Sequence, residues 1–221
     1  LSSIDARSRA MLGAFDLVLS RGAPEPALLD TVLPNFRILA AVGPRLPPAE
    51  QLGGDHSTGW RLLLTELARR NDVVIVDTPA GMFGVTHQIL GGATDVVGVL
   101  QAEQIAARSF ERFSEGLRAL PAERRPNVAG IVVNMLQTRK DASMSVFQSA
   151  CQDLPPEWLF DTSIPRHGAF LDSAHAGVPL RHLDEQAPPA IAWLFDNLAA
   201  ELTSRLGLPV GGARRPRPLL A

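Results

Sequence analysis

Three stretches of this chain, DVVIVD, DVVGVLQ and NVAGIVVN, are apolar almost throughout instead of alternating apolar with polar residues. A strand with one wet face alternates, whereas a strand covered on both faces does not, and such strands belong to parallel sheets sandwiched between helices. The pattern predicts central strands over Val73 to Asp77, Val96 to Leu100 and Val128 to Asn134, with further strands over Phe36 to Ala41 and Trp158 to Ile164. The expected fold class is α/β: a mostly parallel sheet covered by helices on both faces, in three layers.

Helical periodicity fills the intervals between these runs. Trp60, Leu63, Leu64 and Leu67 share one face of a helix with a cap expected near Ser57 or Thr58 and a stop at Asn71. Ala106, Phe110, Phe113, Leu117 and Leu120 recur at steps of four and three in a second helix that must end before Pro121. A third starts after Pro188-Pro189 and carries Ile191, Leu194, Phe195, Leu198 and Leu202 on one stripe up to Gly207. Residues 1–207 are expected to form one domain, and residues 208–221, rich in Pro, Gly and Arg, a flexible tail.

Composition narrows the function classes. With 221 residues and 46% hydrophobic content the chain can bury a substantial core. Its apolar runs are strand-sized, far short of the roughly 20 residues that span a bilayer, so no transmembrane segment is expected, and the tail after Gly207 has too few large apolar residues at helical spacing for a membrane-targeting helix. The opening LSSIDARSRA has no signal-peptide core, and Cys151 is the only cysteine, which together point to the cytoplasm. A net charge of −2 does not mark a general nucleic-acid binder. Local clusters, Arg124-Arg125, Arg139-Lys140 and Arg214 to Arg217, could still touch phosphate, although solvated surface is the commoner role for each. His167, His175 and His182 lack metal-ligand spacing and are assigned to surface or packing roles. No G-x-S-x-G elbow is present, and one cysteine cannot build a zinc knuckle.

In open parallel sheets ligands bind beyond the carboxyl ends of the strands. Asp77 ends the first apolar run, where a carboxylate suits Mg²⁺, a hard cation that keeps part of its water shell. Capping of the following turn is the alternative for that side chain. Gln101 and Glu103 end the second run. Asn134 ends the third and offers the donor and acceptor pair that reads an adenine edge. Pro165 and Arg166 follow the last expected strand, where a stiff loop could border a base and an arginine could meet phosphate or a partner.

The succession DVVIVDTPAG, ATDVVGVLQAEQIAARSFERF, NVAGIVVNMLQTR and LFDTSIPRHGAFLDSAHAGVPL resembles the ParA/MinD family of deviant Walker-A P-loop ATPases, with the nearer likeness to ParA-type partition proteins. The resemblance runs from about Leu1 to Leu206. It implies that Asp77 is the Walker B aspartate on Mg²⁺, that Asn134 contacts the adenine of ATP, that the Pro165-Arg166 loop flanks the base, and that Gln101 sits on the neighbouring strand. It also implies a homodimer that closes on ATP and opens on hydrolysis, with non-specific DNA and a ParB-like or cargo-adaptor protein as partners. Relatives that position cellulose synthase or chemoreceptor clusters share the same core.

One part of that pattern is missing. The family's loop K-G-G-x-G-K-[ST] cradles phosphates with backbone amides and brings lysines to their charge. Here Lys140 is the only lysine, and none of the glycine pairs at 53, 91 and 211 is followed by Lys-Ser or Lys-Thr. The chain opens on Leu1, and a strand, helix and strand of roughly 30 residues is expected to precede it in the intact protein. Without them these residues are expected to be inactive alone, poorly stable and weak in ATP binding. The alternative is a degenerate relative that keeps the scaffold for protein contacts.

Overall fold

A strand exists only where a neighbour takes its backbone hydrogen bonds, and this requirement decides which of the apolar runs become strands. The computed structural model describes residues 12–31, 33–43, 53–103, 107–177, 179–180 and 189–208. Leu1 to Ala10, His182 and the tail beyond residue 208 lie outside them. The chain divides into two compact units, Ser3–Thr94 with Phe113–Pro126, and Asp95–Arg112 with Asn127–Ala221.

In the first unit, α1 (Ala14–Ser20) packs against α2 (Ser57–Ala68). The α2 stripe read from the sequence is the face that is buried: Trp60, Leu63, Leu64 and Leu67 join Ala14, Leu17, Val18, Ala27 and Ile89 in one core. Phe15 meets the Trp60 ring edge to face, with centroids 5.2 Å apart. Each large side chain in this cluster contributes about 1.5–3 kcal/mol through burial. The Asp16 carboxylate accepts hydrogen bonds from the backbone N–H groups of Gly13 (2.7 Å) and Gly43 (3.2 Å), fastening the start of α1 to the chain beyond the small sheet.

That small sheet departs from expectation. Phe36 to Ala41 shortens to a strand over Arg37–Leu39 (β2), which pairs antiparallel with Leu28–Asp30 (β1) in the register Leu28 to Leu39. The connection is held by Thr31, whose hydroxyl donates to the Phe36 carbonyl at 2.7 Å, and it turns through Asn35 at φ 61°. Antiparallel neighbours need only a short connection, so β2 pairs with the adjacent β1 rather than joining a parallel sheet.

The α2 cap also lies away from expectation. Asp55 accepts from both the Ser57 hydroxyl (2.6 Å) and the Ser57 backbone N–H (3.0 Å), so the capping group is Asp55 and not Ser57 or Thr58. Asn71 closes the other end by donating to the Leu67 carbonyl at 2.7 Å. Those two bonds from Ser57, side chain first and backbone second, hold the Asp55 carboxyl below its ordinary pKa, with His56 and Arg124 adding favourable charge. Because the folded-state pKa is the lower one, this support for α2 is fully present above the unfolded-state value, about 3.9, and is lost as pH falls through the folded-state value. Asp55→Asn is therefore expected to flatten the acid limb of the stability curve below about pH 4 while leaving the slope near neutrality unchanged, as read by urea unfolding at stepped pH.

Val73 to Asp77 is not a strand. No ladder bonds engage it among the described residues; Val74 packs on the core, while Ile75 is 76% exposed and Val73, Val76 and Asp77 are also exposed. Its apolar sequence has the composition of a central strand, but strand neighbours are missing from the described residues around it. The following turn passes through Gly81 (φ 96°) and Gly84 (φ 63°) into α3 (Val85–Leu90). Thr86 anchors that turn by donating to the Pro79 carbonyl, and Gln88 bridges back to Gly54 and His56. The end of α4 (Ala107–Arg118) is capped by Arg125, which donates to the carbonyls of Leu117, Arg118 and Leu120.

In the second unit, β3 (Asp95–Gln101) and β4 (Asn127–Asn134) form the parallel pair expected from the sequence, in register from Asp95 with Asn127 to Gln101 with Asn134. Only β4 is buried along its middle; Val97 and Val99 of β3 are exposed, and β3 has β4 as its one partner among the described residues. The register shifts between Val96 and Val97, opposite Gly130 at φ 152°. Behind β4 lies a core of Leu100, Ala102, Ile131, Val133, Leu136, Ala150 and Leu154, covered by α5 (Asp141–Asp153).

The expected strand over Trp158 to Ile164 runs parallel to β4 but is interrupted. Phe160 and Ile164 donate to Ile131 and Val133, whereas the N–H groups of Asp161 and Thr162 go to the Glu201 carboxylate on α7 (Pro189–Arg205) at 2.9 and 3.2 Å. A side chain has replaced the sheet as acceptor, and Trp158 closes a short 3₁₀ turn. Among the described residues no helix is long and apolar enough to cross a membrane.

Candidate functional site

The carboxyl ends of β3 and β4 bring four of the five expected site residues into one unit. Gln101 and Asn134 are direct register partners at the last position of the pair, and the Asn134 carbonyl accepts from Ala102 N–H at 2.9 Å. Two residues on, Leu136 bridges to Pro165, and Arg166 N–H donates to the Leu136 carbonyl at 3.0 Å, so the Pro165-Arg166 loop is sewn to the chain leaving β4. The Arg166 guanidinium lies 3.9 Å from the Glu103 carboxylate, both about half exposed, a pairing worth at most about 1 kcal/mol. His167, next in sequence, serves the backbone, since its Nδ1 accepts from Ala169 N–H at 3.1 Å and caps α6 (Gly168–Ala176).

Asn134 is half-buried, and its Oδ1 accepts from the Met135 N–H at 2.8 Å. Met135 turns the chain with φ 57°, a left-handed conformation unusual for a residue other than glycine, Asn or Asp. Nothing in the sequence signalled this turn.

Asp77 belongs to the first unit. It is exposed at the end of the unpaired run, and no hydrogen bond or ion pair engages it among the described residues. Among those residues no three His, Cys, Asp or Glu side chains cluster as a metal site would require. A lone exposed carboxylate fits Mg²⁺ held largely by water and phosphate oxygens, and does not fit a cage built by protein alone.

Arg125, one of the basic residues singled out by charge, is engaged inside the fold, and so is Arg205. Arg125 caps α4 as described, and Arg205 donates to the carbonyls of Ala129, Glu157 and Leu159 and to Glu201. Arg139 and Lys140 remain exposed, after β4.

The fold is that of the ParA/MinD-type P-loop ATPases. Among solved structures, apo McdA from Cyanothece is similar at TM-score 0.70 and 14% identity, over 88% of this chain and 79% of that one. The cell division ATPase MinD of Pyrococcus furiosus is similar at TM-score 0.63 and 16% identity, over 94% of this chain and 80% of that one. Cobyrinic acid a,c-diamide synthase from Mycobacterium smegmatis, solved with an ATP analog and magnesium, is similar at TM-score 0.55 and 20% identity, over 76% of this chain and 75% of that one. No protein-family model and no curated protein matches the sequence.

Proposed function

We propose that this chain is a ParA-like positioning ATPase, a nucleotide-dependent dimerisation switch that partitions DNA or another cellular cargo. The observation that carries the reading is the gathering of Gln101, Asn134, Pro165 and Arg166 at the carboxyl ends of parallel segments, on a fold shared with McdA and MinD. In this reading Asn134 meets the edge of the base, with Pro165 and Arg166 beside it. Asp77 would hold Mg²⁺, and the ion when bound offsets the charge of the phosphates. A P-loop unit would supply the glycine-rich loop and lysine that these 221 residues lack. Exposed Arg139 and Lys140 suit non-specific contact with DNA, and a ParB-like or adaptor protein would couple the switch to its cargo.

The test is ATP binding with and without that unit. Two charge-assisted hydrogen bonds from a lysine-bearing loop, at about 1.5 kcal/mol each, correspond to roughly a hundredfold in affinity. Residues 1–221 alone should bind MgATP weakly, and fusion to a segment carrying K-G-G-x-G-K-[ST] should tighten binding by at least about that factor. Asp77→Asn in the fusion should then lower the dependence on magnesium. No gain on fusion would favour a scaffold that has left nucleotide chemistry behind.

A further inference from the structure

The backbone fixes the state of the His167 ring. Its Nδ1 lies 3.1 Å from the Ala169 nitrogen, and a peptide N–H can only donate, so Nδ1 carries no proton and the neutral ring holds its proton on Nε2. A ring turned over would set a carbon against the Ala169 N–H and lose the bond, which settles orientation as well as tautomer. Most N-caps are Ser, Thr, Asp or Asn, whose oxygens accept throughout the neutral range. An imidazole differs, because it ordinarily titrates between about pH 5 and 8 and its cation has a donor at both nitrogens. Protonated His167 has no lone pair for the Ala169 N–H, and it sets positive charge at a helix N-terminus, the end that disfavours cations.

Helix α6 depends on that cap more than most helices would. It has nine residues, opens on a glycine and buries Ala169, and a helix of that length is marginal by itself. Charged groups lie on each element around it. Arg166 adjoins His167 in sequence and lies 3.9 Å from Glu103 on the chain leaving β3; α6 carries Asp172 and His175. Helix α7 meets α6 where the rings of Phe170 and Phe195 pack edge to face, and it carries Asp196 together with the Glu201–Arg205 pair. Among the described residues no carboxylate accepts from the His167 ring, so none holds its cation in the capping position. We infer that His167 is a pH-operated cap, which holds the first turn of α6 beside the Pro165-Arg166 loop when neutral and releases it when protonated. Only the neutral ring accepts, so this support is present at the high-pH end and is lost as pH falls.

The test uses the 221-residue chain labelled with ¹⁵N, at about pH 7.5 and about pH 5.5, on the two sides of the middle of the imidazole range. It is compared with His167→Asn, a cap that accepts at both, and His167→Ala, which caps at neither. At the higher pH the ring nitrogen shifts should show a bare Nδ1 and a protonated Nε2. The α6 amides should there be protected from hydrogen exchange as in the Asn variant, about fivefold more than in the Ala variant. At the lower pH, wild-type protection, corrected for the intrinsic exchange rate, should fall about fivefold to the Ala level while the Asn variant keeps its value. A proton on Nδ1 at the higher pH overturns the proposal, and so does wild-type protection that changes by less than about twofold between the two conditions. An equal fall in the Asn variant overturns it as well, because groups other than His167 would then carry the effect.

Discussion

Arg205→Ala should cost about 3 kcal/mol of stability. Its Nη1 donates to the carbonyls of Ala129 (3.1 Å) and Glu157 (2.7 Å), and its Nη2 to the carbonyl of Leu159 (2.6 Å) and to Glu201 Oε1 (2.9 Å). The guanidinium carbon also stacks 4.2 Å over the centre of the Phe160 ring. Removal leaves three carbonyls short of a donor and a carboxylate without its cation. Breaking a fully buried ion pair costs about 3–5 kcal/mol; the two side chains here are 21% and 17% exposed, which places the effect at the lower end. With a urea slope of about 2 kcal/mol per molar, the unfolding midpoint should fall by about 1.5 M. Arg205→Lys should recover less than half of this, because an ammonium lacks the fork that serves four acceptors. An unchanged midpoint for the alanine variant would show that these bonds are replaced by water at no cost.

The same residue shows where the sequence stops being informative. Arg205 carries no signal in the sequence because its carbonyl partners lie 46 to 76 positions away, and no local pattern encodes them. Glu201 is equally silent, yet it takes the N–H groups of Asp161 and Thr162 and so breaks the strand that the apolar run over Trp158 to Ile164 predicts. What was legible depended on local periodicity or on composition. The α2 stripe from Trp60 to Leu67 and the β4 run fold as read, and β3 forms as a strand while exposing Val97 and Val99, since a helix face needs only its own spacing and these two strands supply each other's partners. Val73 to Val76 is as apolar as β4 but forms no ladder among the described residues, because a strand needs a neighbour that sequence composition cannot guarantee. The three-residue strand Leu28–Asp30 is too short to show any period.

At the candidate site the strand-end rule anticipates which residues of the second unit lie near one another and says nothing of their detailed geometry. Gln101, Asn134, Pro165 and Arg166 meet because parallel strands place all their carboxyl ends on one side. The polarity of the Asn134 amide could not be read, since it is fixed by the left-handed turn at Met135, a residue with no turn propensity of its own. Asp77 was located by the apolar run before it, and its exposure follows from the absence of ladder partners along that run among the described residues.

The second large effect is expected where two helix backbones come closest in the first unit. Gly59 lies in the first turn of α2, and a methyl group built there would sit 2.6 Å from the Val18 carbonyl oxygen and 2.8 Å from Val18 Cγ1. The oxygen belongs to the α1 backbone and cannot swing aside, so relief requires moving α1, where Leu17 is 1% exposed and Phe15 packs on Trp60. Overpacking of this kind costs about 3 kcal/mol, and the better helix propensity of alanine returns about 1, leaving Gly59→Ala less stable by about 2 kcal/mol. A lower melting temperature with an altered near-ultraviolet signal from Trp60 is the expected readout. Gly168, at the start of α6, is the matched control because nothing lies within 4 Å of the methyl group it would gain. There the same substitution should be neutral or stabilise by up to about 1 kcal/mol. Opposite signs for one chemical change isolate the close approach of α1 and α2 from any general preference for alanine in helices, and two equal effects would locate the cost elsewhere.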